Sequence, residues 1–189
     1  MPTHSHCSQC QSREALSYEQ TPPLRPLKMA YGVGALSQLV RRFRLWLNLR
    51  TGNVAVFEFE KMPLSFKKMI DKPNSCVLRI VGNRLIVANV GNVEHSEWMA
   101  DQLIQKAKRM NMALNVTRIY SEYSPCARTC SPIIRRNYPQ AQVSFSFSWD
   151  GKNKRQEQNA KESAIAELFR TAPSSKIGLQ KRPNGKPCY

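Results

Sequence analysis

Leu36, Leu39, Val40, Phe43 and Leu47 recur at three- and four-residue steps, which predicts a helix over residues 35–49 with one apolar face. Gly52-Asn53 is expected to stop it, and Val54-Ala-Val-Phe-Glu-Phe59 then has the composition of a short strand. A short helix is expected over 64–71. Two β-rich runs follow, 76–81 and 84–90, with only Gly82-Asn83 between them, the spacing of a hairpin. Gly91-Asn92 breaks the second run. A helix is expected over 95–111, with Trp98, Leu103, Ile104 and Ala107 on its apolar stripe.

Residues 116–122 predict another strand, and Pro125 opens a helix expected over 126–138. Over 142–149, Val143, Phe145, Phe147 and Trp149 alternate with Gln142, Ser144, Ser146 and Ser148. That pattern predicts a strand with one buried face and one polar, partly exposed face. A helix over 154–170 follows Asp150-Gly-Lys-Asn, and Ile177-Gly-Leu-Gln is at best a weak fifth strand. Strand–helix–strand order favours parallel pairing and the hairpin adds an antiparallel pair, so the chain is α/β with a mixed sheet. The expected division is a flexible tail over 1–30, a basic helical extension over 31–72 packed on the core, a core over 73–172 and a basic tail over 173–189.

Composition narrows the class. At 189 residues the chain can bury a full core, and its 41% hydrophobic and 22% charged residues fit a soluble protein. No apolar run approaches the roughly 18 residues of a membrane span, so no membrane role is expected. No signal peptide is visible, and a cytoplasmic location follows as the expectation. The net charge of +16, spread over both halves, favours a polyanionic partner. From Arg25 to Arg50 there are six basic residues and no acidic one. Arg41, Arg42 and Arg44, read as lying mostly off the apolar stripe of 35–49, are candidates to contact a nucleic-acid backbone; a solvated helix edge is the plainer alternative, and the two are compatible.

Six cysteines are present, and a chain of this size does not need disulfides. Cys76 opens an apolar run and suits a small buried residue. His4, His6, Cys7 and Cys10 could form a second zinc knuckle, although so short a cluster with no other half suits an unfolded tail better. The remaining chemistry is concentrated. His95-Ser-Glu97 supplies an imidazole and a carboxylate, and Pro125-Cys126-Ala-Arg-Thr-Cys130 supplies two thiols; His95 is the only histidine outside the tail. A catalytic zinc takes three protein ligands, leaves a fourth position open and needs a base nearby. H-x-E followed by P-C-x-x-C is the signature of zinc deaminases, with the Glu as proton shuttle; here the second half is one residue longer. One zinc per chain is therefore expected on His95, Cys126 and Cys130. With both cysteines on one helix, four apart, their sulfurs would share a face. Glu97 would take a proton from the water that attacks C4 of cytosine or C6 of adenine, then return protons to the ring nitrogen and the leaving ammonia.

The stretch Ile119-Tyr-Ser-Glu-Tyr-Ser-Pro-Cys126, with Cys130, His95-Ser-Glu97 and Met99–Ile104, resembles the deaminase domains of bacterial polymorphic toxins. More distantly it is similar to the APOBEC and tRNA adenosine deaminase groups of the cytidine-deaminase-like fold, over roughly residues 76–170. The resemblance implies a three-layer α/β/α sandwich and a hydrolase acting on C–N bonds. It implies that Asn89 or Asn92 contacts the base or sugar, that Ser124 and Pro125 line the base pocket, and that Trp149 and Asp150 meet the neighbouring nucleotide. It implies cytosine deamination in single-stranded DNA or RNA, DNA favoured, by a mutagenic toxin delivered into a target cell's cytoplasm and covered by an acidic immunity protein. A monomer is expected. The alternatives are a free nucleoside or nucleotide deaminase, and a non-catalytic zinc-stabilised module that binds nucleic acid.

Overall fold

The computed structural model describes residues 23–70, 77–89, 95–149 and 152–172. Among these residues six strands form one mixed sheet: β1 (Leu27–Lys28), β2 (Val54–Phe59), β3 (Leu78–Val81), β4 (Arg84–Ala88), β5 (Val116–Tyr123) and β6 (Gln142–Phe147). Five helices cover it: α1 (Ala35–Leu47), α2 (Leu64–Ile70), α3 (Ser96–Arg109), α4 (Cys130–Asn137) and α5 (Lys154–Thr171). The strand order is β1-β6-β5-β2-β4-β3. β2 pairs antiparallel with β4 and β5, while β6 runs parallel to β5 and to β1. Among the described residues, no helix is long and apolar enough to cross a membrane.

Alternation along β2 distributes its side chains between two cores. Ala55, Phe57 and Phe59 pack with Phe66 and Ile70 of α2, Ala100, Ile104 and Ala107 of α3, and Ile134 of α4. Val54 and Val56 pack with Leu36, Val40 and Phe43 of α1, and with Ile86 and Tyr120. α5 lies on the side of α1, where its Lys161 reaches Glu122 of β5. The layers are α/β/α, as the sequence predicts, because every residue of β2 is buried and each face needs its own cover.

Several boundaries differ from expectation. β2 lies near the middle of the sheet, so residues 31–72 are not an extension packed on a finished core; they supply a strand that β4 and β5 both require. The tail expected over 1–30 includes Leu27 and Lys28, which pair with Ser144 and Phe145. α1 ends at Leu47 rather than at Gly52-Asn53, because Asn48 adopts a left-handed conformation (φ 53) and returns its N–H to the last turn. The polar face of β6 is partly exposed at Gln142, Ser144 and Ser148, as expected, but Ser146 is buried, and Tyr120 Oη lies 2.8 Å from its hydroxyl and 3.1 Å from that of Ser37 in α1. The tails over 1–22 and 173–189, with the histidines and cysteines of the first, Cys76 and Ile177-Gly-Leu-Gln lie outside the described residues.

Candidate metal centre

The centre forms at one end of the sheet, where β2 begins and β4, β5 and β6 finish. His95 caps α3 with extended dihedrals (φ −76, ψ 138), so its ring departs from the helix while Glu97 stays in the first turn. Cys130 is the first residue of α4. Cys126 is not on that helix, contrary to expectation; residues 127–129 form a turn before it. Pro132 accounts for the late start, since a helix begun at Cys126 would bury a missing N–H and a ring clash in its interior. In the first turn of α4 both are harmless. The turn is closed by Ser131 N–H donating to Cys126 O (2.9 Å) and by Cys130 N–H pointing at Cys126 Sγ (3.4 Å).

Nδ1 of His95 lies 3.1 Å from Cys130 Sγ and 3.4 Å from Cys126 Sγ, and the three candidate ligand atoms all fall within 4.8 Å of one another. Tetrahedral zinc with ordinary Zn–N and Zn–S bonds separates such atoms by about 3.6 Å. One imidazole and two thiols are also the donor types zinc prefers. The set therefore fits that metal. Cys130 is buried, Cys126 partly exposed and His95 exposed, so the centre opens outward. The Cys126 thiol is pushed down to about 4, first by the Cys130 side chain and then by backbone N–H groups and His95. Cys130 is pushed up, first by its hydrogen bond with Cys126, then by burial and the charge of Glu97. Metal binding to thiols displaces their protons.

Glu97 is buried, 3% exposed, and accepts a hydrogen bond at Oε2 from Ser96 Oγ (3.1 Å). Ser96 in turn accepts from Asn53 Nδ2 (2.9 Å). Asn53, which immediately precedes β2, also donates to Ser121 Oγ (2.9 Å) and accepts from Tyr123 N–H (3.2 Å). Deeper between the helices, Asp101 Oδ1 accepts from Gln105, Asn137 (2.8 Å) and Tyr138 Oη (2.7 Å), tying α3 to the end of α4.

The expected substrate residues divide. Ser124 and buried Pro125 lead into Cys126, and Ser124 Oγ accepts from Trp149 N–H (2.7 Å). The Trp149 ring is 5.0 Å from that of Tyr123, and both are half-buried beside the centre. Asn89 is at the same end, held by its N–H to Asn53 O (2.7 Å). Asn92 and Asp150 lie outside the described residues. Among the arginines, Arg42 is exposed and Arg41 half-buried with its guanidinium 6.0 Å from the Tyr31 ring.

Arg44 cannot touch a phosphate backbone: it is fully buried. Nε and Nη2 each meet a Glu122 oxygen at 2.5 Å, and Nη1 and Nη2 also donate to Leu49, Thr51 and Gly52 carbonyls. All five guanidinium N–H groups thus have acceptors. Position 44 follows Leu36 and Val40 at four-residue steps, so it belongs on the apolar stripe rather than off it. Lys161 shares Glu122 (3.3 Å) and donates to Gly52 O (2.8 Å), and Tyr31 Oη donates to Glu122 as well (3.1 Å). Burial alone would raise Glu122; Arg44 and Lys161 outweigh it and hold the carboxyl down to about 2. Asn53, Ser96, Asp101 and the Glu122 cluster were not legible as a set in the sequence, because their partners are distant along the chain and none falls in a metal-ligand spacing.

A family model described as Xanthomonas-like deaminase matches residues 73–167, just over half of the chain. No curated protein and no solved structure matches.

Proposed function

The chain belongs to the Xanthomonas-like deaminases, and on that premise we propose that it is a zinc-dependent hydrolase that converts cytosine to uracil in single-stranded nucleic acid, DNA favoured over RNA. The observation that carries the zinc chemistry is the convergence of His95, Cys126 and Cys130 beside a buried Glu97. Bound zinc supplies Lewis acidity that makes water a competent nucleophile near neutral pH. Ser96 occupies Oε2 of Glu97, which leaves Oε1 to receive the proton of the attacking water. The water oxygen adds to C4 as Glu97 passes its proton to the ring nitrogen; the proton of the added hydroxyl then goes to the amino group, the C4–N bond breaks, and ammonia leaves a carbonyl behind. A purely structural zinc site would complete four protein ligands and have no use for that carboxylate.

The polymer substrate rests on the charge of +16 and on the half-buried rings of Tyr123 and Trp149 beside the centre, which suit stacking on a base. A single strand avoids the few kcal/mol of flipping a paired base. Ser124, Pro125, Asn89, Asn92 and Asp150 are proposed to border the base, and Arg41 and Arg42 to meet phosphates. A toxin role, action in a target cell's cytoplasm, a monomeric state and an acidic immunity partner belong to the same proposal and rest on the resemblance.

The test incubates the protein and its Glu97→Ala variant with single-stranded DNA, single-stranded RNA and free cytidine, scoring C-to-U and A-to-I conversion by mass spectrometry. Conversion of a polymer that disappears in the variant is the expected result. Conversion of cytidine alone would replace the polymer by a small substrate, and A-to-I conversion would replace the base. One zinc per chain with no conversion would favour a binding module.

A further inference from the structure

We propose that Asn53 is the positioning residue of the metal centre, the side chain that holds its two halves in register. This rests on the zinc reading above. The ligands come from two segments 31 residues apart at their nearest, His95 and Cys126, with α3 and β5 between them. Asn53 belongs to neither segment, yet it bonds both: Ser96, between His95 and Glu97, and Tyr123 N–H, three residues before Cys126. Its third bond, to Ser121, fixes it to β5, and its own carbonyl receives Asn89 N–H from the end of β4. Both amide N–H groups and the amide oxygen are used.

The bonds also have a direction. Asn53 Nδ2 can only donate, so the Ser96 hydroxyl accepts from it and turns its single proton to Glu97 Oε2. Asn53 thereby acts on Glu97 through Ser96 and on Cys126 through the Tyr123 backbone. Residues that orient metal ligands from behind typically change affinity by about 10–100-fold when removed.

The experiment measures zinc affinity by competition with a chromophoric chelator, and steady-state kinetics, for the whole chain. Asn53→Ala should weaken zinc binding by about 10–100-fold. Ser96→Ala removes the bond by which Asn53 holds the His95 segment as well as the one to Glu97, so it should weaken zinc binding by a similar factor and lower kcat by about tenfold or more at unchanged KM. Asn53→Asp keeps the shape and the Tyr123 acceptor should the alanine variant fold poorly. It draws the Ser96 proton to itself, so its kcat loss should match that of Ser96→Ala, and the double variant should lose no more than either alone. Asn115→Ala, which removes an exposed bond to Glu60 elsewhere, is the control. Equal zinc affinity in wild type and Asn53→Ala, or additive kcat losses in the double variant, would overturn the assignment of Asn53 alone. A wild-type chain that binds no zinc would overturn it together with the zinc reading.

Discussion

Glu122 and Cys126 stand four residues apart where β5 ends, and they anchor polar centres of opposite kind. Around Glu122 every strong group is matched: two carboxylate oxygens meet Arg44, Lys161, Tyr31 and Val54 N–H, and the guanidinium fills its remaining donors with carbonyls. Around Cys126 one imidazole and two sulfurs converge, joined among the described residues by no further His, Cys or carboxylate ligand, and the Glu97 carboxylate lies nearby. The first arrangement is closed, with Arg44 and Glu122 fully buried, and the second reaches the surface through exposed His95. Charges matched on every side and metal-type donors gathered at an exposed residue are thus two different uses of polar groups at one end of the sheet.

Four perturbations break or sharpen this contrast, in order of expected size. Glu97→Gln keeps the volume and the Ser96 bond but cannot carry the proton, so conversion should drop about 10²–10⁴-fold. Its thermal midpoint should stay within a few degrees, which calorimetry would check. Arg44→Met acts in reverse. It leaves Glu122 with one cation and strips the Leu49 and Thr51 carbonyls of the Arg44 donor, and should cost about 3–5 kcal/mol in urea unfolding. A loss below 1 kcal/mol would mean the closed cluster stabilises little.

The third perturbation is acid. The Glu122 carboxyl, held to about 2 against an ordinary 4.5, contributes stability that is full above pH 4.5 and is lost as pH falls from 4.5 towards 2. The loss should be on the order of 3 kcal/mol, and Glu122→Gln should flatten that part of the pH–stability curve. The smallest effect is Arg42→Ala. At an exposed site it should move stability by under about 0.5 kcal/mol. It should nonetheless weaken polymer binding modestly and reduce the salt-dependence slope by about one. An unchanged slope would remove Arg42 from the proposed phosphate path.

The contrast also explains what could be read from sequence. His95, Glu97, Cys126 and Cys130 were visible because metal chemistry restricts both residue type and local spacing, and each pair sits at a strand-to-helix junction. The hairpin, α3 and α5 were visible because their periodicity is local. The place of β2 was not: nothing in Val54–Phe59 says that its partners are 84–88 and 116–121. Arg44 misled for a related reason. Its charge suggested solvent, while its position on the stripe indicated burial, and only Glu122, distant along the chain, reconciles the two. Pro132 carried a signal that decides where α4 starts, and that signal is steric rather than compositional.

The central placement of β2 has a consequence for the order in which the molecule can assemble. Val54–Phe59 is made before either of its neighbours, one of which, β5, follows some sixty residues later, and β1 must wait for β6. Loop closure over such separations precedes the contacts that reward it, so folding should be slow for an α/β chain of this size. A fragment cut to the family-matched span 73–167 would leave β4 and β5 facing an empty lane, each with a raw edge open to a neighbouring chain. The catalytic motif is local, but the unit that can be expressed, shuffled or inherited intact starts well upstream of it.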